Sequence, residues 1–111
     1  MQYFTTTSKA SRRAVDCVVV GIYERGKLGS GASDIDAASN GAIQRLIKSG
    51  DLSSQLGSCS MLNGVSGVRA ARVAVVGLGK ISNFGAKQFT TAITAALRTV
   101  SRTRARVFLI A

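Results

Sequence analysis

The chain contains no histidine, which removes both the commonest general base and the commonest metal ligand. Acids are scarce as well. Asp16, Glu24, Asp34, Asp36 and Asp51 are the whole set, and none lies beyond position 51. A carboxylate site therefore has only the N-terminal half to draw on. The two cysteines, Cys17 and Cys59, lack CxxC spacing, which excludes zinc clusters and thioredoxin-type redox motifs. Proline and tryptophan are absent too, and neither a low-complexity tract nor an internal repeat is visible. No apolar run approaches the ~20 residues of a membrane span, and MQYFTTTSKASRR has no secretory apolar stretch. The expectation is a soluble cytoplasmic protein with no membrane partner. It is also a poor candidate for a self-contained enzyme.

The 111 residues are 46% hydrophobic and 18% charged, which describes one globular domain rather than a disordered chain. A chain of this size buries roughly two thirds of its unfolded surface, enough for a core without staples. Fifteen bases against five acids leave a net charge of +10. Residues 1–51 carry seven bases and five acids, whereas residues 52–111 carry eight bases and no acid. That lopsided field suits a polyanion or an acidic partner surface, although charge that merely keeps the protein soluble is an equally good reading.

Short apolar runs alternate with amphipathic stretches, the pattern of an α/β domain. Gln2–Thr7 reads as a first strand, Ser8–Arg13 as a loop, and Cys17–Tyr23 (CVVVGIY) as a strand covered on both faces. Residues 24–33, with three glycines, read as a loop. One helix follows, capped by Ser33 or Asp34 and buried along Ile35, Ala38, Ala42, Ile43, Leu46 and Ile47, with Asp36 and Lys48 toward water. Gly50 supplies a left-handed stop. Ser58–Leu62 and Arg72–Gly77 read as strands, forming an antiparallel pair around the Asn63-Gly64 turn signal. Leu78–Asn83 reads as a loop. A second helix runs from Phe84 to about Ser101, with Phe89, Ala92, Ile93, Ala96, Leu97 and Val100 inward. Arg106–Ala111 is a last apolar strand, which must pair centrally or belong to a longer polypeptide. The predicted fold is α/β, a mixed, mostly parallel sheet flanked by helices in the order β-β-α-β-β-α-β, spanning 1–111 as a single domain.

Several motifs invite chemistry. Gly77-Leu78-Gly79-Lys80 after a buried strand resembles a phosphate cradle. The P-loop pattern asks for glycine where Ala74 stands and for Ser or Thr at Ile81, and the dinucleotide pattern asks for glycine at Ser82, so a plain tight turn is the better reading. Gly29-Ser30-Gly31 reads as a flexible loop, since Asp34 would repel an anion. Arg98, Arg102, Arg104 and Arg106 place four guanidinium groups within nine residues. Together with Lys80, Gly77 and Gly79 they are the candidate contacts for phosphate or nucleic acid, set against a solvated face as the plainer alternative. Tyr3 and Tyr23 are too few to build a base-stacking platform. The cysteines sit in apolar contexts, and serines such as Ser60 and Ser66 have no base to activate them.

Three segments, Cys17–Tyr23, the Gly41–Gly57 stretch with Gly50-Asp51-Leu52, and Arg72–Lys80, resemble in order and spacing the N-terminal domain of the leucyl aminopeptidase (cytosol aminopeptidase) family. The resemblance implies a macro-like α/β domain that precedes a larger catalytic domain. That catalytic domain would hold two divalent metals, manganese or zinc, and remove N-terminal residues from peptides. The family's Asn-Thr-Asp-Ala-Glu-Gly-Arg segment has no counterpart here, so no metal or catalytic residue carries over and this chain itself is expected to need no cofactor. The resemblance further implies the catalytic domain of the parent chain as partner, a hexameric parent, and DNA binding in some bacterial members. The chain stops earlier than family domains do, and RTRARVFLIA is more basic than theirs, which suggests a truncated piece. The function expected is thus a non-catalytic domain serving assembly, access control or docking. The alternative is a basic nucleic-acid-binding module. A phosphorylated-nucleotide pocket built from Gly29–Gly31 and Gly77–Lys80 is the least favoured.

Overall fold

The computed structural model describes residues 2–5, 17–101 and 107–110. Its elements are β1 (Gln2–Thr5), β2 (Cys17–Tyr23), α1 (Ser30–Ala38), α2 (Ala42–Ser49), β3 (Cys59–Asn63), β4 (Arg72–Gly79), α3 (Ala86–Ser101) and β5 (Val107–Ile110). Short 3-10 turns at Glu24–Gly26 and Ile81–Asn83 follow β2 and β4. The expected loop at Ser8–Arg13 lies outside the described residues.

The five strands form one sheet in the order β1-β5-β2-β4-β3. The neighbours β1, β5, β2 and β4 pair in parallel, and β3 pairs antiparallel with β4. This is the mixed, mostly parallel sheet that the apolar runs predict. The strand β5 pairs on both sides, between β1 and β2.

Strict alternation along β2 and β4 builds the two layers, because successive side chains leave opposite faces of a strand. Val18, Val20, Ile22, Val73 and Val75 pack with Ile35 and Ile43 from α1 and α2. Cys17, Val19, Ala74 and Val76 pack with Ala92, Ala96 and Val100 from α3. Continuous β-branched runs are what a strand buried on both faces requires.

The single helix expected over 34–49 is two helices. Ser39 Oγ donates to the Ile35 carbonyl at 2.7 Å, and Asn40 and Gly41 then take left-handed φ values of 61° and 86°, which no helix continues through. Asp36, expected in water, instead accepts the backbone N–H of Gln44 at 2.9 Å and satisfies one of the unpaired donors at the start of α2. Gly50, at φ 86°, stops α2 as expected.

Two loop readings also change. α1 begins at Ser30, so Gly31 is helical and Asp34 is interior to the helix rather than its cap. Gly29 takes the cap position, where a Cβ would lie 3.0 Å from the Gly21 carbonyl oxygen. Gly77, Leu78 and Gly79 belong to β4 and do not follow it. On α3 the predicted inner row holds at Ala92, Ala96 and Val100, but Phe89 is 49% exposed, with its ring edge to face against Phe84.

Candidate binding clefts at the carboxyl ends of β2 and β4

Adjacent parallel strands whose connections leave to opposite faces open a crevice at their carboxyl ends. β2 leads to α1 and α2 on one face, and β4 leads to α3 on the other. Two hollows lie there. The first, about 200 Å³, is apolar and runs from Gly21 and Tyr23 to Leu78, Phe84, Phe89 and Ile93. The Tyr23 and Phe84 rings meet edge to face at 5.7 Å, and Phe84 meets Phe89 likewise at 6.5 Å. Gly21 has no side chain because Leu78 occupies the space: a Cβ would stand 2.4 Å from Leu78 Cδ1.

The second hollow, about 310 Å³, is lined by Glu24, Arg25, Lys27, Lys80, Ile81 and Ser82. Three cations face one carboxylate, so the hollow is electropositive. Arg25 is held in the left-handed region, at φ 63° and ψ 29°, where a residue with a side chain is uncommon. Residue reasoning missed this cluster. The signal was the charged Glu24-Arg25-Gly26-Lys27 run directly after a buried strand.

The candidate phosphate contacts separate. Lys80 is exposed and lines the basic hollow. Gly77 and Gly79 are buried, and their N–H groups donate to the carbonyls of Ser58 at 2.8 Å and Ser54 at 2.9 Å. These two amides point into the 54–58 loop, as a packed strand end requires. A Cβ on Gly77 would lie 2.1 Å from the Gln55 carbonyl oxygen, so glycine is needed for close packing. Arg98 lines a third hollow, on α3, with Gly57, Thr91, Thr94 and Ala95. Arg102, Arg104 and Arg106 lie outside the described residues.

Among the described residues, no three His, Cys, Asp or Glu side chains gather as a metal would require. Asp36 is engaged by Gln44 N–H, and Asp51 accepts from Ser49 Oγ at 2.7 Å. These residues do not fit the two-metal centre that the family resemblance implies for the parent. Burial pushes the Cys59 thiol up from its ordinary pKa, partly offset by a hydrogen bond with Thr99.

A mixed sheet in this order, layered between helices with its crevice at β2 and β4, is the macrodomain fold. The macrodomain of Mycobacterium tuberculosis DarG matches with a TM-score of 0.72 over 98% of this chain and 74% of that one, at 10% identity, a likeness of fold alone. Sequence then identifies the family: the profile described as "Cytosol aminopeptidase family, N-terminal domain" matches residues 19–111, and this chain belongs to that family. A probable cytosol aminopeptidase of Burkholderia ambifaria (strain MC40-6) is 45% identical over 89 residues, covering 80% of this chain and 18% of the relative. Another, of Cupriavidus taiwanensis, is 47% identical over 90 residues, covering 81% and 17%. The chain therefore spans less than a fifth of the length of these relatives.

Proposed function

We propose that this chain is a non-catalytic domain of a leucyl aminopeptidase-like metallopeptidase and acts through assembly, access control or docking. The carrying observation is close identity confined to under a fifth of relatives named as aminopeptidases. In this reading the two divalent metals, manganese or zinc, and the peptide-cleaving groups reside in the parent's catalytic domain. The parent is cytoplasmic and hexameric, and 1–111 is one domain of it. Histidine is absent and the carboxylates are few, which agrees with that division of labour. Among the described residues no helix is long and apolar enough to cross a membrane.

The test is an assay of leucine p-nitroanilide hydrolysis with manganese, on this chain alone and on a Cupriavidus taiwanensis relative whose matching segment is replaced by it. No turnover by the chain and retained activity in the chimera are expected. Enzyme-like turnover by the chain alone overturns the non-catalytic reading.

A second reading, a nucleic-acid surface made by Lys80 and the Arg98–Arg106 cluster, is favoured by one observation: residues 52–111 carry eight bases and no acid. Phosphate contacts of that kind weaken steeply as salt rises. Absence of duplex-DNA binding at about 50 mM salt ends that reading.

A further inference from the structure

β3 is an edge strand, and among the described residues no strand pairs on its outer side. Which of its backbone groups face outward follows from the register. Gly77 N–H donates to the Ser58 carbonyl and Gly64 N–H to the Ala71 carbonyl. Cys59 stands opposite Val76 and Asn63 opposite Arg72, so the hydrogen-bonded positions are the even ones, Ser60 and Leu62. The N–H and C=O groups of Cys59, Met61 and Asn63 therefore point away from the sheet.

Natural edges are usually blunted by charge, proline or a bulge. The segment CSMLN has neither charge nor proline, and its pairing with β4 is regular over all five residues. Beside it runs α3. Thr91 lies 3.8 Å from where a Gly57 Cβ would be, and Thr99 meets Cys59. A hollow of about 330 Å³ opens between the Thr91, Thr94, Ala95 and Arg98 row and Gly57, two residues before β3. Arg98 is exposed, Arg72 closes the far end of β4 opposite Asn63, and no carboxylate occurs anywhere in residues 52–111.

We propose that the β3 edge and the α3 row form a docking groove for an extended acidic peptide segment, which adds to the sheet as a sixth strand. Main-chain bonds to Cys59, Met61 and Asn63 supply the attachment, and Arg98 selects acidic side chains. A second copy of this chain is the poorer occupant, because it would bring another net +10 against the same arginines.

The probe is a fluorescein-labelled, amide-capped VEVTVEV peptide titrated by anisotropy, with VKVTVKV as its charge-reversed partner. The acidic peptide is expected to bind about tenfold more tightly than the basic one. Arg98→Ala is expected to weaken it about threefold to fivefold, as an exposed ion pair does. Met61→Pro removes an outward N–H and no bond to β4, and is expected to abolish binding. Asn63→Pro, at an exposed position, serves the same end should Met61→Pro fail to fold. Hydrogen exchange is expected to slow at Met61 and Asn63 when the acidic peptide is bound. Equal binding of both peptides, unchanged affinity in both proline variants, or a self-dimer that forms in place of peptide binding overturns the proposal. So does a labelled DNA duplex that displaces the peptide while protecting no β3 amide.

Discussion

The two faces of the sheet are held in different ways. On the α1 and α2 face three isoleucines, Ile22, Ile35 and Ile43, are fully buried among valines and smaller residues. On the α3 face no fully buried side chain exceeds valine: Val19, Val76 and Val100 stand with Cys17, Ala74, Ala92 and Ala96. The helices differ to match. α1 and α2 have nine and eight residues, whereas α3 has sixteen. Isolated helices as short as α1 and α2 are marginal in water, so they depend on bulky anchors. α3 is long enough to present a whole row, and alanines let it approach the sheet closely. The first face thus leans more on bulky anchors, and the second more on small residues in close contact.

Removing volume from the first face is expected to have the largest effect. Ile43→Ala creates a cavity beneath α2 and is expected to cost about 3 kcal/mol, read from urea denaturation. A loss below about 1 kcal/mol would mean that α2 collapses to fill the space and would break the contrast. Adding volume to the second face comes next. Ala96, 1% exposed, has no room for a larger side chain, so Ala96→Leu is expected to cost about 2 kcal/mol. A neutral or stabilising result would show that α3 does not sit tightly on the sheet. The smallest effect tests the break between α1 and α2. Asp36→Ala removes the acceptor for Gln44 N–H and is expected to cost about 1 kcal/mol, while Asp36→Asn, which keeps an acceptor oxygen, recovers most of it. Equal loss in both would assign the effect to charge near the helix start rather than to the hydrogen bond.

Much of the sheet was legible along the chain. CVVVGIY and RVAVVG are typical of strands covered on both faces, and the Ala92, Ala96 and Val100 spacing fits one side of a helix. The break at Asn40–Gly41 was less visible, because the apolar positions on both sides of it keep helical spacing. The deciding contacts, Ser39 to Ile35 and Asp36 to Gln44, are polar and leave no mark on that periodicity. The clefts were hardest to foresee. The sequence of Gly77 and Gly79 already favours a plain tight turn over a phosphate cradle. Only the return of the 54–58 loop shows that their amides are already engaged. Lys80 is far in sequence from Arg25 and Lys27 and meets them because β2 and β4 end side by side.

By itself the sequence determined that this chain forms an α/β domain, that its charge is lopsided, and that it has no histidine and few acids for catalysis. Those properties follow from side-chain identity and period, which are local. The tertiary structure alone decided the strand order, the place of β3 at the sheet's edge among the described residues, and the grouping of cations beside an aromatic cleft. Each depends on which distant segments share a sheet, and no local pattern along the chain encodes that.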